Sequence, residues 1–264
     1  MRHVLLTAAL AATWFSAPAF AVDTGNATPL IERTALFGNP SRVSAKLSPD
    51  GKWLAWIAPN KGVLNLWVAP VDHPTQGQPL TDETKRPIRQ YLWAPDSSAL
   101  LFINDKGGDE NYLLYKVGIK DHKQQSLTPF EKTRVEIVGT SEHIKDRILV
   151  GLNNRDARWH DVYSLDLASG KLTKVLENHG DYAGSPADDN LALPTAIRPP
   201  PDGGTDFFHV HGDKFYDKPF SSVAPSDSQP TQPSGFTYVG NLPFWLHSRP
   251  HPTPALSWPY VATS

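Results

Sequence analysis

The chain has no cysteine at all, and this single absence excludes disulfide staples, thiol nucleophiles and thiolate metal sites. Its 264 residues, 39% of them hydrophobic, must hold one large or two small domains together by packing or by partners. Excess charge is missing as well. With 25 basic against 27 acidic residues the net charge is -2, which leaves no electrostatic footprint for nucleic acid. No glycine-rich loop precedes a helix, so nucleotide binding has no support. Helical periodicity is essentially absent beyond the first residues.

Those first residues differ from the rest. Arg2 and His3 form a short positive head, Val4 to Phe15 is mostly apolar, and Ala19-Phe20-Ala21 supplies a small-x-small pattern before Val22. The expectation is a signal peptide over 1–21, cleaved after Ala21, with a periplasmic or secreted product. About a dozen apolar residues are too few to span a bilayer, so no membrane attachment is expected beyond the leader. A buried N-terminal helix is the competing reading, but no charge interrupts His3 to Asp23.

The main signal is a repeat. Residues 47–57, LSPDGKWLAWI, return 46 positions later as WAPDSSALLFI, with Pro95-Asp96 in place of Pro49-Asp50. A second landmark follows each copy, and Trp67, Tyr115 and Tyr163 stand 48 residues apart. Closing polar segments come next: QPLT at 78–81, QSLT at 125–128 and KLTKVL at 171–176. A fourth, weaker copy runs ADDNLALPTAI (187–197) and DFFHV (206–210), and GFTYVGNLPFWLHSR (235–249) keeps only a shadow of the pattern.

The physics of one unit is legible. Pro pre-sets φ in a tight turn, Asp caps its own backbone, and Gly accepts the left-handed exit. The strand that follows is apolar at both parities, with Trp53, Ala55 and Ile57 on one face and Leu54, Trp56 and Ala58 on the other. A half-solvated strand would alternate, so this one must be covered on both faces. Four short strands per unit of about 45 residues, each sheet sandwiched by its neighbours, is a propeller blade. The fold expected is all-β, an incomplete β-propeller of about four to five four-stranded blades. The lead-in occupies 22–40, blades one to four 41–221, and a Pro/Ser-rich segment 222–264. The aromatic landmarks are expected to pack between blades and not to form a ligand box.

The last segment has two readings. Its 43 residues hold eight Pro, seven Ser and only two charged residues, Asp227 and Arg249. Either it is a disordered proline-rich tail, or it is a decayed fifth blade followed by truncation. A chain stopping there would leave two open sheet edges.

The copies lack the Trp-Asp dipeptide of WD repeats. SPDGKWLAWI and its copies instead resemble the Pro-Asp-Gly repeats of TolB-type propellers. A longer combination is more specific: FGNPSRVSAKLSPDGKWLAWIAP, VLNLWV, IRQYLWAPDSSALLF, GGDENYLLYKV and NNRDARWHDVYSLDLASGKL. Together these resemble the N-terminal propeller of secreted bacterial serine peptidases of the prolyl oligopeptidase family, in its dipeptidyl or acylaminoacyl peptidase branch. The resemblance implies a propeller that gates peptide substrates for an α/β-hydrolase domain carrying Ser, Asp and His. No Gly-x-Ser-x-Gly elbow occurs in this chain. Around Gly184-Ser185-Pro186, Ala183 and Ala187 stand where the glycines belong, and Pro186 lacks the N–H an oxyanion hole uses. The family thus implies a hydrolase, and the chain by itself no catalytic residue. The alternative is a stand-alone TolB-like periplasmic scaffold binding protein partners.

The loops between second and third strands are unusually polar. They are Asn60-Lys61, Asp105 to Asn111, and Asn153 to Arg158. Carboxylates pair with an amine and Arg forks a carboxylate, so Asp109, Glu110, Arg155 and Arg158 are the candidates for gripping a peptide terminus; a plain solvated turn is the alternative for each. His209 and His211 share a strand face without a third ligand and read as an edge-strand pair, so neither a metal nor another cofactor is expected.

Overall fold

A computed structural model describes residues 30–180 and 182–227, together with three later strands at 232–236, 243–247 and 256–259. The expected signal peptide lies outside the described residues. The chain divides into two units, Met1–Gly38 and Asn39–Ser264. In the first, a five-residue helix, Arg33–Phe37 (α1), was not anticipated; it has no side-chain N-cap and buries none of its residues.

The second unit is built from antiparallel sheets. Blade one comprises Val43–Leu47 (β1), Trp53–Asn60 (β2), Val63–Pro70 (β3) and Gln78–Pro79 (β4), hydrogen-bonded in that order. Blade two repeats the order with Tyr91–Trp93 (β5), Ala99–Asn104 (β6), Leu113–Gly118 (β7) and Gln124–Ser126 (β8). Blade three follows with Val135–Gly139 (β9), Arg147–Asp156 (β10), Trp159–Asp166 (β11) and Leu172–Leu176 (β12). The propeller reading of the repeat is correct in this respect: each copy is one meander, and Trp67, Tyr115 and Tyr163 occupy the third strand of each.

The Pro-Asp-Gly stretch forms the turn between first and second strands. Gly51 N–H donates to Ser48 O at 2.9 Å and Gly51 sits at φ +71°. Ser48 Oγ donates to Asp50 Oδ1 at 2.6 Å and accepts from Trp53 N–H at 3.0 Å, tying the turn to the strand it feeds. In blade two Ser97 takes the glycine position at φ +64°, and in blade four Leu191 does so at φ +58°. The weak fourth copy therefore keeps the geometry while losing the residue that suits it, a substitution that costs strain.

Blade four contains Thr195–Arg198 (β13), Thr205–His211 (β14), Lys214–Phe215 (β15) and Ser221–Val223 (β16). Both β15 and β16 pair with β14, one at each end, so the last strand is split in two. Its first strand has shrunk to a single bridge, Gly184 to Ile197. Since β14 pairs on both sides, His209 and His211 lie on an interior strand and not on an edge. His209 stacks on Phe220 at 4.1 Å.

Gln232–Phe236 (β17), Pro243–His247 (β18) and Leu256–Pro259 (β19) form a three-stranded sheet with β18 in the middle. Pro243 is the first residue of β18, and Pro233 and Pro259 sit on the flanking strands, the positions where a missing donor does least harm.

The core lies between blades. Ala55, Ile57, Leu66 and Val68 of blade one meet Tyr91, Trp93, Leu100 and Phe102 of blade two. Ala99, Leu101 and Leu114 meet Ile148, Val150 and Leu165, and Leu149 and Val162 meet Ala196 and Phe208. On the far face of blade one Trp56 stacks on Trp67 with centroids 6.3 Å apart. A Cβ at Gly77 would collide with the Trp56 indole, so only glycine lets the chain pass there. A strand greasy at both parities is thus buried on both faces.

Candidate functional site

The loops joining second to third strands gather on the rim opposite the Pro-Asp-Gly turns, and the four candidate side chains are held there very differently. Asp109 is spent locally: its Oδ1 accepts from Lys106 N–H at 3.2 Å and Asn111 N–H at 3.1 Å. The Asn111 side chain and these backbone donors hold its carboxyl below the ordinary range. Glu110, at φ +58°, donates its N–H to Asp105 Oδ2 at 3.3 Å and leaves its side chain exposed.

Arg155 does structural work. Its Nε donates to Asp161 Oδ2 at 2.7 Å, and its Nη2 to Asp161 Oδ1 and Asn178 O, both at 2.8 Å. Asp161 is wholly buried and also accepts from Asn178 N–H at 2.9 Å. Burial alone would raise that carboxyl, but Arg155, the Asn178 N–H and Lys174 outweigh it and hold it below the usual value. Arg158, with 75% of its side chain exposed, pairs with Asp156 at 3.0 Å.

A second clamp of the same kind escaped the sequence. Arg86 Nε donates to Asp105 Oδ1 at 2.7 Å, with Asp105 again fully buried. In blade one a neutral version does the job. Buried Asn65 Oδ1 accepts from Glu83 N–H at 2.7 Å and Thr81 Oγ1 at 2.8 Å. Asn65 and Asp161 stand two residues ahead of the landmarks Trp67 and Tyr163, so a polar residue inside a greasy third strand was the available signal. Each grips the connector that carries the chain to the next blade, which fixes the rim loops on rigid sheets.

A cavity of about 750 Å³ opens at the opposite rim, where all four blades contribute: Leu47 and Pro49, Trp93 and Pro95, Ser141 to His143, and Asp189. The first-strand ends converge there, and Leu47 faces out with 60% exposure. The cavity wall is mixed, with acids, Lys145 and apolar residues. Among the described residues no cluster of three or more His, Asp and Glu is placed to hold a metal ion.

Four four-stranded antiparallel blades stacked face to face define the class: an all-β propeller. Comparison with models of known protein families matches none. Over 236 residues, 89% of the chain, the sequence is 43% identical to dipeptidyl aminopeptidase BIII of Pseudoxanthomonas mexicana. Over 160 residues, 58% of the chain, it is 31% identical to dipeptidyl peptidase family member 6 of Caenorhabditis elegans. The chain spans 34% of the length of the first relative and 22% of the second. A solved structure from a study of two prolyl endopeptidases aligns over 78% of this chain and 31% of its own, with TM-score 0.52 at 13% identity, a likeness of fold alone. The chain is a homologue of a dipeptidyl aminopeptidase, and the resemblance to prolyl oligopeptidase-type peptidases holds.

Proposed function

We propose that this chain is the substrate-gating propeller of an exported serine peptidase of the prolyl oligopeptidase type, working with a hydrolase portion outside these 264 residues. The observation that carries the reading is 43% identity over 89% of the chain to a dipeptidyl aminopeptidase of which the match spans only 34%. The missing nucleophile elbow supports it from the other side, because a propeller without one needs its chemistry supplied elsewhere. The leader-like start supports export to the periplasm or beyond. In this reading the substrates are peptides. Glu110 and Arg158 are exposed rim side chains that can meet a charged terminus, while Asp109 and Arg155 hold the loops that present them.

The test is expression of the reading frame continued beyond Ser264, beside the 264-residue chain alone, both assayed on dipeptidyl chromogenic substrates. The longer product should contain the elbow and hydrolyse them, and the chain alone should not. Turnover by the chain alone, or a continued frame without the elbow, would sink the proposal.

A further inference from the structure

The fourth blade's missing first strand has a physical consequence. Blades one to three line their inner edges with strands of five, three and five residues, whereas blade four offers the Gly184 to Ile197 bridge. The space left is a wedge of about 250 Å³ between blades three and four. For scale, an apolar protein cavity of about 150 Å³ takes up benzene. The wedge is therefore large enough for an aromatic ring with a short side arm.

Its walls specify more than size. Tyr182 and Phe215, both lining it, stack with centroids 4.1 Å apart, and Val138, Val162 and Ile197 complete an apolar pocket. Among the described lining residues Glu136, half exposed on β9, is the acidic side chain, and none of them is Lys or Arg. Its partner is His160 Nδ1 at 3.0 Å. Nε2 of that imidazole is buried with no hydrogen-bond partner, so the polar wall is incomplete as it stands. The Arg198 guanidinium stacks on Phe208 at 4.3 Å, 5.7 Å from the Tyr182 centroid, and is not among the lining residues. An aromatic and aliphatic pocket with the Glu136 carboxylate at its rim complements an ammonium group carried on an apolar body, which would share that carboxylate with His160.

We propose that the wedge between blades three and four is a binding site for an arylalkyl amine, with the ring between Val162 and the Tyr182–Phe215 pair and the ammonium on the Glu136 carboxylate. The site does not depend on the peptidase reading. It involves none of the rim candidates and no hydrolase portion.

The chain itself is the material for the test, with 2-phenylethylamine as probe and 2-phenylethanol as its uncharged counterpart, followed by calorimetry and by NMR shifts. Saturable binding of the amine is expected, at least tenfold tighter than the alcohol. Glu136→Gln, a change at a half-exposed position that leaves the core alone, should weaken the amine at least tenfold and leave the alcohol unchanged. Val138→Trp should fill the wedge and abolish both; its melting curve reports whether it folds, and the Glu136→Gln comparison stands if it does not. No saturation by the amine, equal affinity for the alcohol, or an unaltered Glu136→Gln variant would each overturn the site.

Discussion

The seam between blades one and two and the seam between blades three and four are built from the same repeat, yet they differ in how they are closed. At the first, the innermost strand of blade two reaches across. Tyr91 Oη stands 2.7 Å from both Ser44 O and Ala55 O and shares its one proton between them, Trp93 Nε1 donates to Lys46 O at 3.1 Å, and Lys46 Nζ returns a bond to Tyr91 O at 2.8 Å. At the second, the corresponding strand is one bridge; Ser141 Oγ donates to Asp189 O at 2.5 Å, and the wedge opens beside it. Apolar burial joins both seams, but polar groups on the inner strand decide which of them is tight. A decayed repeat thus loses its inner strand before it loses its core.

The largest test of that contrast is truncation of a buried ring at each seam. Phe102→Ala is expected to cost about 4 kcal/mol in urea unfolding, and Phe208→Ala about 3 kcal/mol, because its neighbours can relax into the wedge. A larger loss at Phe208 would break the comparison. Next comes the clamp. Asp161→Ala leaves the Asn178 N–H unsatisfied and Arg155 without its fork, and should cost about 2 kcal/mol, held down by the partial exposure of Arg155. The folded carboxyl of Asp161 is depressed, so its stabilisation is fully present above the unfolded value of about 3.9 and fades as pH falls through that value toward the folded one. Urea midpoints from pH 7 to pH 3 should fall less steeply for Asp161→Asn than for the wild type.

Tyr91→Phe should cost about 1 kcal/mol, since the buried Ala55 carbonyl and the part-buried Ser44 carbonyl lose the one proton they share. A change below 0.5 kcal/mol in thermal unfolding would mean that the first seam owes its tightness to packing alone. The smallest stability effects belong to the rim. Glu110→Ala and Arg158→Ala should move stability by less than about 0.5 kcal/mol, yet raise KM in the longer protein if they meet the substrate terminus. Unchanged kinetics would leave them as solvated turns.

The blades were readable because a turn, an apolar strand and an aromatic landmark recur at nearly constant spacing, and local chemistry dictates each. The site was less readable. Arg155 reads as a solvent-facing candidate because its partner Asp161 is six residues away, on the next strand, and becomes a partner only once the hairpin folds back. Arg86 and Asp105 are 19 residues apart, one on the connector entering blade two and the other on the loop after its second strand. His209 was placed on an edge because its blade's last strand is split, and no local pattern announces that two fragments will share one neighbour.

The sequence alone determined the blade: its turn, its doubly apolar second strand and its place in a repeat, since these follow from backbone sterics and from burial on two faces. Only the tertiary structure decided which charges are locked into buried clamps and which stay exposed, and where a blade falls short. Those depend on which side chains neighbouring blades bring within hydrogen-bonding distance, a quantity that no spacing within one copy contains.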